Sequence, residues 1–344
     1  MTLKKIGVLT GGGDCPGLNA VIRAIVRSAD RDGVEVIGFL NGWRGLIQNE
    51  YKPLGLDNVS GILHRGGTIL GTSRTNPYKK EEDVKKVKEN FAANKLDALV
   101  AIGGEDTLGV AEKLSAEGLS VVGVPKTIDN DLPETDYTFG FDTAINIVTD
   151  AIDRLHTTAE SHDRVMVVEI MGRHAGWIAA YSGLAGGADM ILVPEIPIQI
   201  DEVVRVVEER TARGKTFSII AVAEGAQFAE GDMATVDKEL DAFGHVRLGG
   251  IGQRLAELIE ERTGHETRVT VLGHTQRGGS PTAMDRILGT RFGVKAYQVL
   301  KAGETGKMVS LKGTKIEAVP IANIRGKLKT LDMEFYEIAK IFFG

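Results

Sequence analysis

Short apolar runs that end in glycine and give way to helical periodicity recur along the whole chain, and this alternation limits the fold more than any single motif does. Lys5-Ile-Gly-Val-Leu-Thr10 runs into Gly11-Gly-Gly-Asp-Cys-Pro-Gly17, after which Leu18, Ile22, Ile25 and Val26 share one helical face. Val34 to Leu40 reads as a second strand. Leu99-Val-Ala-Ile102 reads as another, ending in Gly103-Gly-Glu-Asp-Thr107 before a helix that stops near Gly118. Val121-Val-Gly-Val-Pro125 is the end of a further buried strand, and Asp142 is the expected cap of a helix with Ile145, Val148, Ile152 and Leu155 on one face. Val165–Ile170, Met190–Val193, Ser218–Val222 and Arg268–Gly273 repeat the pattern, with a helix turning Val203, Val204 and Val207 inward. Strands alternating with helices imply parallel pairing through right-handed crossovers. The strands lack polar alternation, as expected when both faces of a sheet are covered. Residues 225 to 250 break the pattern and read as an insertion carrying one short helix.

A chain of 344 residues is long enough for about two such domains. Its net charge of -6 argues against a nucleic-acid or membrane-surface partner, since both are polyanions. The single cysteine, Cys15, excludes an internal disulfide framework and fits a reducing compartment. The apolar run at the N-terminus is too short for a secretion signal, and no stretch approaches the ~18 apolar residues of a membrane span. A cytoplasmic location is the expectation.

The residues at the strand ends carry the chemistry. Lys126-Thr-Ile-Asp-Asn-Asp131 follows its strand at once and puts a cation, a hydroxyl and two carboxylates where open α/β sheets bind ligands. A polar turn is the plainer reading of Asp-Asn-Asp. Gly11-Gly-Gly-Asp14 opens a helix, so its N–H groups and the helix dipole can hold an anion, although an ordinary strand-to-helix turn looks the same. Gly103-Gly-Glu-Asp-Thr107 repeats the device with two carboxylates. Those residues either cap the helix or share a Mg²⁺ ion with a phosphate. Arg74, Arg164, Arg173, Arg268 and Arg277 flank the remaining strand ends, and guanidinium forks match phosphate oxygens. Together these loops describe two anionic ligands, one metal ion and a carboxylate base, which is the equipment of phosphoryl transfer.

With Gly12-Gly-Asp14, Gly103-Gly104, Thr127-Ile-Asp-Asn-Asp131, Met171-Gly-Arg173, Glu224 and His274-Thr-Gln-Arg-Gly-Gly279 in this order, the chain resembles the phosphofructokinase family over nearly its whole length. The resemblance implies two Rossmann-like, three-layer α/β domains with mostly parallel sheets. A donor domain would span 1–140 plus 276–326, and a fructose-6-phosphate domain 141–275 plus 327–344. It implies that Asp129 is the general base and that Asp129, Lys126, Asp106 and Arg74 surround the reacting group. Thr127, Ile128, Asp129, Arg164, Met171, Gly172, Arg173, Glu224, Arg268, His274 and Arg277 would hold the sugar phosphate. Gly12, Gly13, Gly104, Asp106, Thr107 and Lys126 would hold the donor, and Glu105 the Mg²⁺, where the family usually has aspartate. In this family the residues matching Arg164 and Arg268 reach in from a neighbouring subunit, so a homo-oligomer, dimer or tetramer, with shared active sites is implied.

Two positions bear on the donor. The family's ATP-using members resemble Gly-Gly-Asp-Gly where this chain has Gly103-Gly-Glu-Asp106, and have glycine at the position of Lys126. Its diphosphate-using members carry Asp and Lys there. A carboxylate at 106 would meet the α-phosphate of ATP. Two like charges ~4 Å apart at an effective dielectric of ~20 repel by ~4 kcal/mol, about a thousandfold in affinity. Lys126 instead offers charge to a small, dense anion. The resemblance therefore implies reversible phosphoryl transfer from diphosphate to the 1-hydroxyl of fructose 6-phosphate, giving fructose 1,6-bisphosphate and phosphate in glycolysis or gluconeogenesis. An ATP-dependent phosphofructokinase is the nearest alternative. A lipid or NAD kinase would lack the Met171–Arg173 and His274–Arg277 set, and an NAD-binding oxidoreductase would need a different glycine pattern. A silent sugar-phosphate sensor would lack the base. Arg23 and Arg27 match the arginines of an effector site in allosteric members, but Leu56 and His156 stand where arginine is expected, so a non-allosteric enzyme is implied.

Overall fold

The computed structural model describes residues 3–229 and 249–344. The chain runs β1 (Lys5–Thr10), α1 (Leu18–Arg31), β2 (Glu35–Phe39), α2 (Trp43–Gln48), β3 (Tyr51–Pro53), α3 (Glu81–Ala93), β4 (Ala98–Gly103), α4 (Glu105–Ala116) and β5 (Val121–Pro125). It continues through α5 (Phe141–His162), β6 (Val165–Ile170), α6 (Trp177–Ala185), β7 (Met190–Leu192), α7 (Ile200–Ala212), β8 (Ser218–Ala223), α8 (Ile251–Thr263) and β9 (Thr267–Val271). Helix α9 (Ala283–Lys301), β10 (Lys307–Lys312), β11 (Lys315–Pro320) and α10 (Met333–Lys340) complete it. Two compact units divide the chain. One holds Met1–Ile128, Leu132–Thr143 and Arg277–Leu328; the other holds Asp129–Asp131, Ala144–Gln276 and Lys329–Gly344.

In the first unit the sheet order among the described residues is β11-β10-β5-β4-β1-β2-β3. The strands from β2 to β10 pair in parallel, and β3 and β11 close the edges antiparallel. Val100 of the fully buried β4 faces Val8 on one side and Val122 on the other. The chain leaves β1 towards β2 and later returns on the other side of β1 as β4. The C-terminal ends of β1 and β4 therefore flank a topological switch point, where ligands bind in open α/β sheets. Gly11–Gly13 and Gly103–Thr107 emerge there. Helices α1 and α9 lie against each other at close range. A Cβ on Gly293 would stand 2.6 Å from the Val21 carbonyl, so glycine is what permits this approach.

The second unit is built on a parallel sheet of order β7-β8-β6-β9. Strands β6 and β8 are buried throughout, and Val165, Val167, Ile220, Val222, Leu255 and Ile259 belong to one core cluster. Strands β7 and β9 are its edges. The burial of β9 is uneven and it ends at Val271, short of the expected Gly273. Among the described residues no helix is long and apolar enough to cross a membrane.

Three local expectations are corrected. Asp142 is not a cap: α5 begins at Phe141, and Asp142 lies in its first turn. The buried face of α5 is Ala144, Val148, Ile152 and Ala159, while Ile145 and Leu155 are only half-buried because they sit at the margins of that stripe. In α7 the inward valines are Val203, Val206 and Val207, with Val204 at the rim. Most of the insertion read over 225–250, with its short helix, lies outside the described residues.

Candidate active site

In the first unit the loop after β1 is fixed mainly through its backbone. Gly11 N–H donates to the Ile102 carbonyl at 2.9 Å, and Gly12 N–H to the Ser73 carbonyl at 3.2 Å. The Thr72 hydroxyl donates to the Gly12 carbonyl at 2.5 Å. Gly12 has φ 78, in the left-handed region that favours glycine. Lys126 is only 3% exposed and its Nζ donates to the Gly13 carbonyl. Arg277 approaches from another side: its Nη1 donates to the Asp14 carbonyl at 3.3 Å. A Cβ on Gly13 would lie 2.6 Å from the same nitrogen.

Helix α4 opens beside this loop. Thr107 is buried, and a Cβ on Gly11 would come within 2.5 Å of its Oγ1. Gly104 is the N-cap of α4, and Glu105 and Asp106 are exposed in its first turn. The structure thus brings together Gly12, Gly13, Gly104, Thr107 and Lys126, with Asp106 on the adjoining helix turn. Arg74 is exposed on the loop that also carries Thr72 and Ser73. Ile128 is fully buried, so its side chain serves the core and leaves only its backbone for a ligand.

Among the described residues no group of three or more histidine, cysteine, aspartate or glutamate side chains could hold a metal ion. Mg²⁺ does not need such a cage, because it takes one or two carboxylates and completes its shell with substrate phosphates and water. An exposed Glu105 beside Asp106, in the first turn of a helix at a backbone-lined loop, fits that pattern.

In the second unit the strand ends of β6 and β8 carry the other residues. Glu224 Oε1 accepts the N–H groups of Gly172 at 3.4 Å and Arg173 at 3.2 Å. The loops touch so closely that a Cβ on Gly225 would overlap the Arg173 carbonyl. Arg173 adopts φ 51, a conformation that costs a non-glycine residue about 1 kcal/mol and is held here by its neighbours. Burial pushes the Glu224 carboxyl above the ordinary glutamate range, the Arg173 N–H opposes this, and the Asp129 carboxylate adds to it. Asp129 itself is 4% exposed. Gln276 is fully buried and its Oε1 accepts the Met171 N–H at 3.2 Å, which draws the turn carrying His274 to Met171. Met171, Gly172, Arg173, Glu224, His274 and Asp129 are thus assembled on one unit.

Arg164 and Arg268 are not part of that assembly. Arg164 precedes β6 and pairs with Glu266 at 2.9 Å, and Arg268, facing Met166 across the strands, pairs with the same carboxylate. The Arg164 guanidinium holds Glu266 below the usual glutamate range. Met171–Arg173 leave the opposite end of β6, and six residues of strand span about 20 Å. No arginine side chain covers that length.

Two residues escaped the sequence reading. Gln276 lies inside a quoted motif but looks like filler between Thr275 and Arg277. Glu169 is 4% exposed and accepts the N–H of Gly250 at 3.3 Å and of Gly252 at 2.9 Å, fixing the start of α8. A lone glutamate in the apolar run of β6 was its signal.

The family model described as Phosphofructokinase matches residues 5–300. The chain is 60% identical over 341 residues to a protein of Amycolatopsis methanolica named pyrophosphate--fructose 6-phosphate 1-phosphotransferase, covering 99% of this chain and 100% of the relative. It is also 54% identical over 328 residues to a Streptomyces coelicolor protein named ATP-dependent 6-phosphofructokinase 3, covering 95% and 96%. Among solved structures, a pyrophosphate-dependent phosphofructokinase of Marinobacter aquaeolei superposes with a TM-score of 0.83 at 24% identity, covering 96% of this chain and 86% of the other. That likeness concerns the fold.

Proposed function

The chain belongs to the phosphofructokinase family, and on that premise we propose that it transfers a phosphoryl group from diphosphate to the 1-hydroxyl of fructose 6-phosphate, reversibly, as a glycolytic phosphotransferase. The observation that carries the choice of donor is the charge around Gly13: a buried ammonium from Lys126 at its carbonyl and the Asp106 carboxylate in the adjoining turn of α4. Relatives named for either donor exceed half identity, so overall similarity alone does not choose between them.

In this reading Gly12, Gly13, Gly104, Asp106, Thr107 and Lys126 serve the donor, and Thr127, Asp129, Met171, Gly172, Arg173, Glu224, His274 and Arg277 serve the sugar phosphate. Gly104 and Thr107 offer backbone and hydroxyl donors at the start of α4, where the helix dipole favours an anion, and Gly12 and Gly13 shape the loop after β1 beside it. Asp129 accepts the proton of the 1-hydroxyl as the oxygen of that group bonds to the transferred phosphorus. The phosphoanhydride bond breaks and inorganic phosphate leaves. Lys126 and Arg74 stabilise the equatorial oxygens, and positioning with charge stabilisation provides most of the rate. Glu105 would hold Mg²⁺, which when bound neutralises donor charge. Arg173 and His274 grip the 6-phosphate, and Glu224 holds the loop of Gly172 and Arg173 in place.

Arg164 and Arg268 are assigned to the site of a neighbouring subunit in a homo-oligomer. Their place at the far end of β6 supports this, because it removes them from the Met171–Arg173 loop of their own chain. Effector control is not part of the proposal. The cavity of about 400 Å³ lined by Arg23, Arg27 and Arg31 also presents Leu56, which cannot pair with an anion. His156 is engaged with the Gly186 carbonyl at 2.7 Å. A cytoplasmic location fits a soluble glycolytic role. Initial rates with diphosphate and with ATP, at fixed fructose 6-phosphate and Mg²⁺, test the proposal.

A further inference from the structure

Two helix starts in the first unit cap one another. Thr282 is the N-cap of α9, and its Oγ1 accepts the N–H of Asp285 at 3.3 Å. In an ordinary capping box the carboxylate at the third helical position returns to the N-cap N–H of its own helix. Here Asp285 Oδ2 instead accepts the Thr143 N–H at 2.8 Å and the Thr143 hydroxyl at 2.5 Å, in the first turn of α5. The Thr282 N–H goes to Thr143 Oγ1 at 3.1 Å, and the Thr282 hydroxyl donates to Asp142 at 2.6 Å. Asp285 is 1% exposed.

Each half of this clamp leads directly to the donor loop. The Thr138 hydroxyl donates to the Thr127 carbonyl at 2.8 Å and Phe139 bridges to Lys126, so the start of α5 is tied to the lysine. Phe139 also meets Phe292 of α9 edge to face at 6.2 Å. On the other side, Arg277 precedes Thr282 by five residues. Lys126 and Arg277 then converge on the adjacent carbonyls of Gly13 and Asp14.

We propose that Asp285 is a positioning residue for the phosphoryl donor: by fixing the start of α5 to the start of α9 it holds Lys126 and Arg277 against the Gly13–Asp14 backbone. The inference deepens the donor-site reading above and rests on it. Asp285 touches no substrate. Burial raises its carboxyl to about 6, against the two hydrogen bonds from Thr143. The ionisable groups facing it are Asp142 on α5 and Cys15 in the loop before α1.

The test compares full-length wild type with Asp285→Asn. Well above pH 6, KM for diphosphate is expected to rise about tenfold in the variant, more than KM for fructose 6-phosphate rises, with thermal stability kept. The ratio of the two diphosphate KM values should fall towards one as pH drops through about 6, because the wild-type carboxyl is then neutral as well. Titration of diphosphate itself cancels in that ratio. A folded variant with wild-type diphosphate KM overturns the proposal, and so does a ratio that does not change with pH. If Asp285→Asn does not fold, Thr143→Val and Thr143→Ser give the same reading. The valine variant should show the raised KM and the serine variant should restore it, and equal values would overturn the proposal. If wild type uses ATP in place of diphosphate, the donor assignment fails, while the same ratios measured with ATP still test the clamp.

Discussion

The ammonium of Lys126 donates to the carbonyl of Gly13, so a positive charge lies directly beneath the loop that follows β1. At 3% exposure this charge is largely withdrawn from water, where solvation would otherwise quench it. A dense anion arriving on the Gly12–Gly13 backbone meets that charge, and diphosphate is such an anion.

Replacing Lys126 with methionine keeps the bulk and removes the charge. The kcat/KM for diphosphate is expected to fall by about 10²–10³, the usual loss for one charge-stabilising donor. Fructose 6-phosphate should bind as before, which calorimetry on the variant checks.

Asp106→Gly combined with Lys126→Gly removes both charges that distinguish the loop from an ATP site. Turnover with diphosphate should be abolished. Turnover with ATP should improve relative to wild type if Asp106 is what repels the α-phosphate. Initial rates with both donors decide this, and undiminished diphosphate use in the double variant would contradict the donor assignment.

Asp129→Ser removes the proposed base while leaving a small polar group in its place. The kcat should drop by about 10²–10⁴ with KM for fructose 6-phosphate nearly constant. Near-normal turnover would assign the proton to another group.

The Asp285 carboxyl makes a signed prediction about stability. Its folded value of about 6 lies above the ordinary 3.8, so the folded state favours the protonated form. The stability it contributes is full below about 3.8 and is lost as pH rises through about 6. The swing is on the order of 3 kcal/mol. The melting temperature of wild type minus that of Asp285→Asn should therefore decrease across this window, and differential scanning calorimetry at several pH values measures it.

If Arg268 works in the site of a neighbouring subunit, Arg268→Ala and Asp129→Ser should each be nearly inactive alone. Mixed under subunit exchange, they should recover activity, since some hybrid sites then contain both native residues. Failure to recover in verified hybrids would remove Arg268 from the shared site.

Much of the architecture could be read from the residues because buried parallel strands announce themselves. Ala98–Gly103 and Val165–Ile170 are apolar without alternation and end in glycine or a polar loop, and both are central strands. Edges were harder. Strand β9 mixes arginine with valine because one side is uncovered, and β3 is only three residues long. The β10–β11 hairpin, with Gly313 at φ 56 in a two-residue turn, left a legible signal in Lys312-Gly-Thr-Lys315 that the strand–helix pattern overshadowed. In the candidate site, glycine and charge at strand ends named the residues proposed to meet ligands. Of the groups that hold them, Glu169 left only the trace of a lone glutamate in an apolar strand, and Gln276 and Asp285 left none. Their partners are backbone N–H groups far along the chain, and no local spacing encodes such a bond.

The central claim is that the charges at 106 and 126 select diphosphate. Its most direct measurement is a coupled assay for fructose 1,6-bisphosphate, with purified protein, Mg²⁺ and fructose 6-phosphate, supplied in parallel with diphosphate or ATP. Rapid product formation with diphosphate and little or none with ATP is the predicted result; efficient turnover with ATP and none with diphosphate would contradict it.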